Sequence, residues 1–241
     1  MLIIKDLTKH YRGSQKGVNN INMTVEDGDI YGFIGPNGAG KTTTLKCIAG
    51  IHSFENGSIL LDGVSVKDEP IRFKRMTAYI PDDPDMYDYL TGIQYLNFIS
   101  DVFGVSKDDR VSRIAKYAEE FELTSSLGDL ISAYSHGMKQ KLAIIAALVH
   151  SPKLLILDEP FVGLDPKASV TLKAIMRDIC SQGGAIFFST HVLDVAEKLC
   201  NKVSIIKEGR LIASGRMTDI VSDGSTLESI FMEVAENGSS D

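Results

Sequence analysis

One segment of this 241-residue chain, Gly35-Pro-Asn-Gly-Ala-Gly-Lys-Thr42, constrains the fold more than any other feature. It matches the pattern G-x-x-x-x-G-K-[ST], follows the apolar run Ile30–Ile34 and precedes a helical pattern that begins at Lys41. Glycines let the backbone wrap so that successive N–H groups point inward, and the start of a helix adds the positive end of its dipole. The segment therefore predicts a loop, between a strand and a helix, that holds the phosphates of a nucleotide.

Individual roles within this phosphate loop follow from side-chain chemistry. Lys41 is predicted to supply a full positive charge to the β- and γ-phosphates, and the Thr42 hydroxyl is placed to ligate Mg²⁺. Nucleotide binding is expected from the whole run, namely Gly35, Pro36, Asn37, Gly38, Ala39, Gly40, Lys41, Thr42 and Thr43.

Short β-branched runs alternate with longer helical patterns along the chain, which is typical of a mainly parallel sheet covered by helices. Predicted strands span residues 2–7, 20–25, 29–34, 58–61, 77–80, 154–157, 185–189, 203–207 and 210–214. Predicted helices span residues 41–49, 92–103, 108–121, 137–150, 168–181, 192–198 and 227–236. Glu208-Gly209, between the last two strands, predicts a two-residue hairpin turn. The predicted fold class is α/β: a P-loop nucleoside triphosphatase with a mainly parallel central sheet, an antiparallel β portion near the N-terminus and an inserted helical subdomain.

The domain organisation is predicted from where this alternation breaks. Between about residues 88 and 150 the patterns are helical throughout, so a helical subdomain inserted between two strands of the sheet is the simplest account. Residues 1–225 are predicted to form a single ATPase domain, and residues 226–241 a C-terminal helix and a polar tail. The last residues, 236–241, are small, polar and acidic, and we expect them to be frayed or disordered.

Two carboxylates, Asp158 and Glu159, directly follow the apolar run Leu154-Leu-Ile-Leu157. Such a run predicts a buried central strand, and charges at its C-terminal end would lie in the crevice where doubly wound sheets bind ligands. Asp158 is suited to hold Mg²⁺, and Glu159 to polarise the attacking water as general base. A strand that ends in two acids is common, and it is the phosphate loop that favours the catalytic interpretation.

Further motifs follow in a definite order: Tyr79-Ile-Pro-Asp82, Tyr134-Ser-His-Gly-Met-Lys-Gln140, Gly163-Leu-Asp165-Pro166 and Ser189-Thr-His191. With the phosphate loop and the Asp158-Glu159 pair, they resemble the motifs of the nucleotide-binding subunit of an ATP-binding cassette (ABC) transporter, over about residues 2–220. The new motifs correspond to the Q-loop, the LSGGQ signature, the D-loop and the switch histidine. The phosphate loop and signature look most like bacterial export-type systems, including drug and peptide exporters. This resemblance implies ATP and Mg²⁺ as cofactors, and hydrolysis that powers transport, with export the expected direction, through a separate permease.

The resemblance also implies roles for single residues. Tyr11 stands where the family stacks an aromatic ring on adenine, and His191 where it contacts the γ-phosphate and helps to orient the water. Ser135 and Gly137 would reach the γ-phosphate of ATP held by a second subunit, and Asp165 would form part of the subunit interface. ATP would thus be clamped in a dimer of two cassettes, which closes on binding and opens after hydrolysis.

Two positions depart from the family pattern. Asp82 replaces the Q-loop glutamine, and it either ligates Mg²⁺ or faces the transmembrane partner; the sequence leaves both open. In the signature, His136 replaces the first glycine and Met138 the glutamine. The His136 side chain must either point away from the phosphate or donate to it. Because Ser135 and Gly137 are retained, we expect the clamp to work.

Composition bounds the possible partners. A net charge of −7 argues against non-specific binding to nucleic acid, whose phosphates demand a basic surface. The three cysteines form no zinc-type pattern and are expected to be buried and reduced. No signal peptide is evident, and the most apolar run, residues 142–149, is too short for a bilayer. We therefore expect a cytoplasmic protein that is peripheral on the inner face of the cell membrane.

Two other classes of P-loop protein fit the sequence less well than the transporter subunit. A soluble cassette ATPase working on ribosomes or DNA would generally carry two cassettes or a long coiled coil, and the chain shows neither. An unrelated kinase would lack the signature motif, and a GTPase would need N-K-x-D, whereas Asn201-Lys-Val-Ser204 ends in serine. The transporter subunit is the interpretation that these features favour.

Overall fold

The computed structural model describes residues 1–11, 13, 16–221 and 225–237, and within these ranges ten strands form two sheets. The strands are β1 (Leu2–His10), β2 (Gly17–Val25), β3 (Ile30–Ile34), β4 (Asn56–Leu61), β5 (Val64–Ser65), β6 (Thr77–Ile80), β7 (Leu154–Asp158), β8 (Ala185–Thr190), β9 (Lys202–Lys207) and β10 (Arg210–Arg216). The antiparallel sheet has the order β2-β1-β4-β5. The central sheet has the order β10-β9-β3-β8-β7-β6 and is parallel except for the β9–β10 pair. The predicted combination of a mainly parallel sheet with an antiparallel portion near the N-terminus is confirmed.

Strand β7 is apolar from Leu154 to Leu157 because both faces of the central sheet are covered. Leu154 and Ile156 of β7 join the hydrophobic cluster shared with the antiparallel sheet. Leu155 and Leu157 point to the opposite face and join the cluster formed with the helices. Side chains alternate between the two faces of a strand. The sequence of a strand that is buried on both faces is therefore an unbroken apolar run.

The helices are α1 (Lys41–Ile48), α2 (Pro70–Met76), α3 (Gly92–Phe103), α4 (Lys107–Glu120), α5 (His136–Val149), α6 (Pro166–Ser181), α7 (Leu193–Leu199), α8 (Met217–Ile220) and α9 (Leu227–Asn237). Helices α3, α4 and α5 lie between β6 and β7 in the chain, although these two strands are neighbours in the central sheet. Helix α5 packs against α3, α4 and β6, and its first residue lies beside the loops that follow β6 and β7. Among the helices of the described residues, none combines the length and the apolar character needed to cross a bilayer.

Several short elements were not predicted from the sequence, namely β5, α2 and α8. They have between two and seven residues and only one buried residue each, so they carry little hydrophobic periodicity. The hairpin between β9 and β10 is confirmed, because Glu208 and Gly209 have φ values of +49° and +76° and both central residues of a type I′ turn need positive φ. Of the predicted disordered end, residues 238–241 lie outside the described residues.

The cysteines behave as packing residues. Cys47 and Cys200 are buried, and Cys180 is partly buried. Burial raises the pKa of the Cys47 thiol to about 12 and that of Cys180 to about 11, so both thiols stay protonated near neutral pH. The expected burial is thus confirmed for Cys47 and Cys200.

Candidate functional site

A cavity of about 260 Å³ opens at the C-terminal ends of β3 and β7, where a doubly wound sheet leaves a crevice. Its lining combines the phosphate loop with side chains from other segments: Tyr11, Lys16, Gly17, Pro36, Asn37, Gly38, Gly40, Lys41, Thr42, Thr43, Asp82, Asp158 and Glu159. The cavity therefore brings together most of the residues that the sequence predicts to bind nucleotide and magnesium. Gly35 and Ala39 of the loop are buried and do not line it.

The phosphate loop needs glycine at three of its positions. A Cβ atom on Gly35 would lie 2.4 Å from the carbonyl oxygen of Ile206. Gly38 and Gly40 have φ values of +81° and +110°, a region that side chains disfavour. A Cβ atom on Gly40 would also lie 2.7 Å from Cγ1 of Val18. Gly40 directly precedes α1, so the loop delivers the N-terminus of a helix to the cavity, where free backbone N–H groups favour an anion.

Lys41 is a buried cation at the floor of this cavity. Its Nζ donates hydrogen bonds to the carbonyl oxygens of Gly35 at 2.7 Å and Pro36 at 3.4 Å. The same atom lies 3.4 Å from Oε1 of Glu159, and the Lys41 side chain is 7% exposed. A buried charge needs such partners, and these three oxygens satisfy it.

Asp158 has one satisfied and one unsatisfied carboxylate oxygen. Oδ1 accepts a hydrogen bond from the Ser189 hydroxyl, whereas Oδ2 is buried with no hydrogen-bond partner in the part of the chain that the structure describes. Leaving a buried acceptor unpaired is costly, so the position calls for a ligand. Mg²⁺ prefers carboxylate and hydroxyl oxygens, and Thr42 and Asp82 line the same cavity. This donor set fits a magnesium ion.

Glu159 has a strained backbone and lies at the centre of the predicted catalytic groups. Its φ of +47° is in the left-handed region, which costs a non-glycine residue about 1–3 kcal/mol. The Glu159 N–H donates to the carbonyl oxygen of Ser189 at 3.2 Å and to its hydroxyl at 3.1 Å, which holds this conformation. Oε2 of Glu159 lies 3.0 Å from Nδ1 of His191 and accepts from the His191 N–H at 3.3 Å. The carboxylate therefore lies between Lys41 and His191.

Ser189 was not predicted to contribute to the site on its own, yet it contacts both acids. Its hydroxyl donates to Asp158 and accepts from the Glu159 N–H. In the sheet, Ser189 of β8 is the direct partner of Asp158 of β7. A buried polar residue near the end of an otherwise apolar strand was the available signal, but the sequence does not show which strand is its neighbour.

Tyr11 lies at the rim of the cavity. Its side chain is 39% exposed, its hydroxyl is 3.2 Å from the Thr43 hydroxyl, and the edge of its ring packs against His52 with centroids 6.0 Å apart. A partly exposed ring beside the phosphate loop offers a surface on which a base could stack.

Four other predicted residues do not line this cavity: His191, which contacts Glu159, and three residues of the signature and D-loop segments. Ser135 caps α5 by accepting from the Met138 N–H at 3.3 Å, and Gly137 follows in the first turn. Asp165 caps α6 by accepting from the Ala168 N–H at 2.8 Å. A hydrogen bond from Lys141 lowers the pKa of Asp165, which keeps this exposed carboxylate ionised. These residues are therefore not part of the cavity formed by the phosphate loop of their own chain.

Comparison with known proteins gives a consistent result. Residues 18–162 match the family model described as ABC transporter. The ABC-type transporter ATP-binding protein EcsA of Bacillus subtilis is 35% identical over 220 residues, which cover 91% of this chain and 89% of the relative. A solved structure of an ATP-binding subunit of an ABC transporter superposes with a TM-score of 0.93 at 34% identity, covering 98% and 99% of the two chains. The ATP-binding cassette MJ0796, solved as a dimer in a post-hydrolysis state with ADP and Pi, has a TM-score of 0.82 at 21% identity, covering 90% and 99%, and shows the same fold.

Proposed function

Because this chain belongs to the ABC transporter family as an ATP-binding subunit, we propose that it hydrolyses ATP with Mg²⁺ and drives export through a separate membrane permease. The observation that carries the proposal is the cavity in which Lys41, Asp158 and Glu159 converge. They would supply a cation for phosphates, a metal ligand and a base. Residues 1–225 would form one ATPase domain with α3–α5 as its helical subdomain, cytoplasmic and held at the inner face of the membrane by the permease.

The side chains suggest how the groups act in turn. Arriving phosphates would compete with Glu159 for the ammonium group of Lys41, because a triphosphate carries more negative charge than a carboxylate. Glu159, still held by His191, could then accept a proton from water while the water oxygen attacks the γ-phosphorus and the bond to the β-phosphate oxygen breaks. When bound, Mg²⁺ would neutralise phosphate charge, held by Thr42, Asp158 and Asp82.

A second copy of the chain would complete each site. Ser135, Gly137 and Asp165 do not line the cavity of their own chain, and both segments start helices whose N-termini favour anions. The cassette MJ0796 is a dimer, which supports pairing of two copies; in such a pair we expect these segments to meet the nucleotide of the partner. ATP would close this dimer, and hydrolysis would let it open.

Replacing Asp82 with Gln tests whether this departure from the family serves magnesium. Asp82 lines the cavity, so losing its charge is expected to raise the Mg²⁺ concentration for half-maximal hydrolysis by roughly tenfold. Magnesium titrations of the purified ATPase would show the shift, with Asp85→Asn from the same acidic run as control. An unchanged titration would instead place Asp82 at the surface that meets the permease.

An aromatic surface next to α3 supports the membrane partner. The ring of Tyr87 contacts the rings of Tyr89 and Phe98, each with a centroid distance of 5.8 Å, and all three residues are at least 43% exposed. Beside them a cavity of about 350 Å³ runs along β6 and is lined by Met86 and Tyr95 among others. Contiguous exposed apolar surface of this kind marks a protein interaction site.

Replacing Tyr89 with Asp is expected to remove most of the permease from affinity-purified membrane preparations. The new carboxylate would lose its water on docking, which disfavours the contact. The measurement is the amount of multi-span protein that accompanies the tagged subunit. Val170→Asp introduces the same charge at an exposed valine on α6 and serves as control. Full retention with Tyr89→Asp would exclude the aromatic surface, and the absence of any multi-span protein with the native chain would favour a soluble cassette ATPase.

A further inference from the structure

The imidazole of His136 lies between two loops that follow neighbouring strands of the central sheet. His136 is the first residue of α5, and half of its side chain is exposed. A Cβ atom built on Gly163, in the loop after β7, would lie 2.6 Å from Cδ2 and 2.8 Å from Nε2 of His136. On the other side, Nδ1 lies 3.8 Å from Oδ1 of Asp83, in the loop after β6. The side chain is therefore directed at two loops of its own chain.

These two loops belong to different sites of the proposed dimer. The Asp83 N–H donates to Oδ1 of Asp82 at 3.0 Å, and Asp82 lines the cavity for this chain's own nucleotide. Gly163 is two residues from Asp165, and a Cβ atom on Gly137 would lie 3.0 Å from the Gly163 carbonyl oxygen. The Gly163 loop and the start of α5 thus pack closely, and both would face the nucleotide of the second copy.

We propose that His136 is a positioning residue that links the Asp82 side of the subunit's own site to the segments that complete the partner's site. The proposal rests on the proposed pairing of two copies. The flat ring fits against Gly163, where a side chain would collide with it. At 3.8 Å, Nδ1 of His136 lies next to the Asp83 carboxylate but beyond the range of a direct hydrogen bond. A glycine at position 136 would make neither contact.

The first test is a double-mutant cycle of His136→Ala and Asp83→Asn in the purified ATPase. Each single variant is expected to lower kcat about three- to tenfold. Because the effects of contacting residues are coupled, the kcat of the double variant is expected to equal that of the less active single variant. ATP affinity of the monomer, measured with a fluorescent nucleotide, is expected to stay unchanged because His136 does not line the cavity. Asp85→Asn is the matched control.

A second cycle uses the close approach at Gly163. Gly163→Ala introduces the clashing methyl group and also strains a residue whose φ is +79°. In the His136→Ala background the clash is gone and only the strain remains. The loss of kcat caused by Gly163→Ala is therefore expected to be several-fold smaller in that background.

If the losses of kcat in the single variants multiply in the double variants of both cycles, His136 does not couple these loops and the proposal is overturned. An unchanged kcat in His136→Ala would also overturn it. Weaker ATP binding by the His136→Ala monomer would overturn it as well, because the effect would then lie in the subunit's own pocket. Thermal unfolding confirms that each variant is folded. Failure of the proposed function would appear differently, as a native protein that neither hydrolyses ATP nor dimerises with it.

Discussion

Replacing Glu159 with Gln is expected to lower ATP hydrolysis by at least about a hundredfold while ATP still binds, because the amide cannot accept a proton from water. Gln keeps the size of the side chain and can still accept the hydrogen bond from the His191 N–H, so the site should retain its shape. Removal of a negative charge from the cavity also reduces repulsion of the triphosphate. The variant should therefore accumulate as a closed dimer when ATP and Mg²⁺ are present.

Gel filtration with ATP, together with a turnover assay, measures both effects of Glu159→Gln. Glu122→Gln is a matched control, because Glu122 also has a positive φ, of +55°, yet lies outside the cavity. Turnover close to that of the native protein would remove Glu159 from the role of base. A strict monomer that holds ATP would argue against a site shared between two subunits.

Replacing Lys41 with Ala is expected to abolish measurable hydrolysis. Removing a preorganised charge of this kind lowers the rate by about two to three orders of magnitude. Nucleotide binding should weaken too, because no other lysine or arginine of the described residues, apart from Lys16, lines the cavity. The substitution also takes from Glu159 the cation that lies 3.4 Å from Oε1.

Turnover and fluorescent-nucleotide binding of purified Lys41→Ala check this expectation. Lys46→Ala removes a lysine from the last turn of the same helix, away from the cavity, and should behave like the native protein. Near-normal hydrolysis by Lys41→Ala would overturn the assignment of the phosphate loop.

Features that depend on neighbouring residues in the chain could be predicted from the sequence. The glycines of the phosphate loop and of the Glu208-Gly209 turn are needed by local backbone geometry, so their pattern is visible without a fold. Central strands such as β7 could be recognised because burial on both faces leaves unbroken apolar runs. Elements such as α2, with one buried residue, left no such trace.

Contacts between distant segments required the tertiary structure. Ser189 meets Asp158 only because β8 and β7 are neighbours, and no spacing in the chain encodes that order. The sequence showed that Asp82 and His136 depart from the family pattern but not where their side chains lie. The fold places Asp82 in the phosphate cavity and turns His136 towards Gly163 and Asp83, because strand order and helix packing decide which loops meet. By itself the sequence determined the phosphate loop and the family, since both rest on local motifs, while the tertiary structure decided which distant side chains share the site.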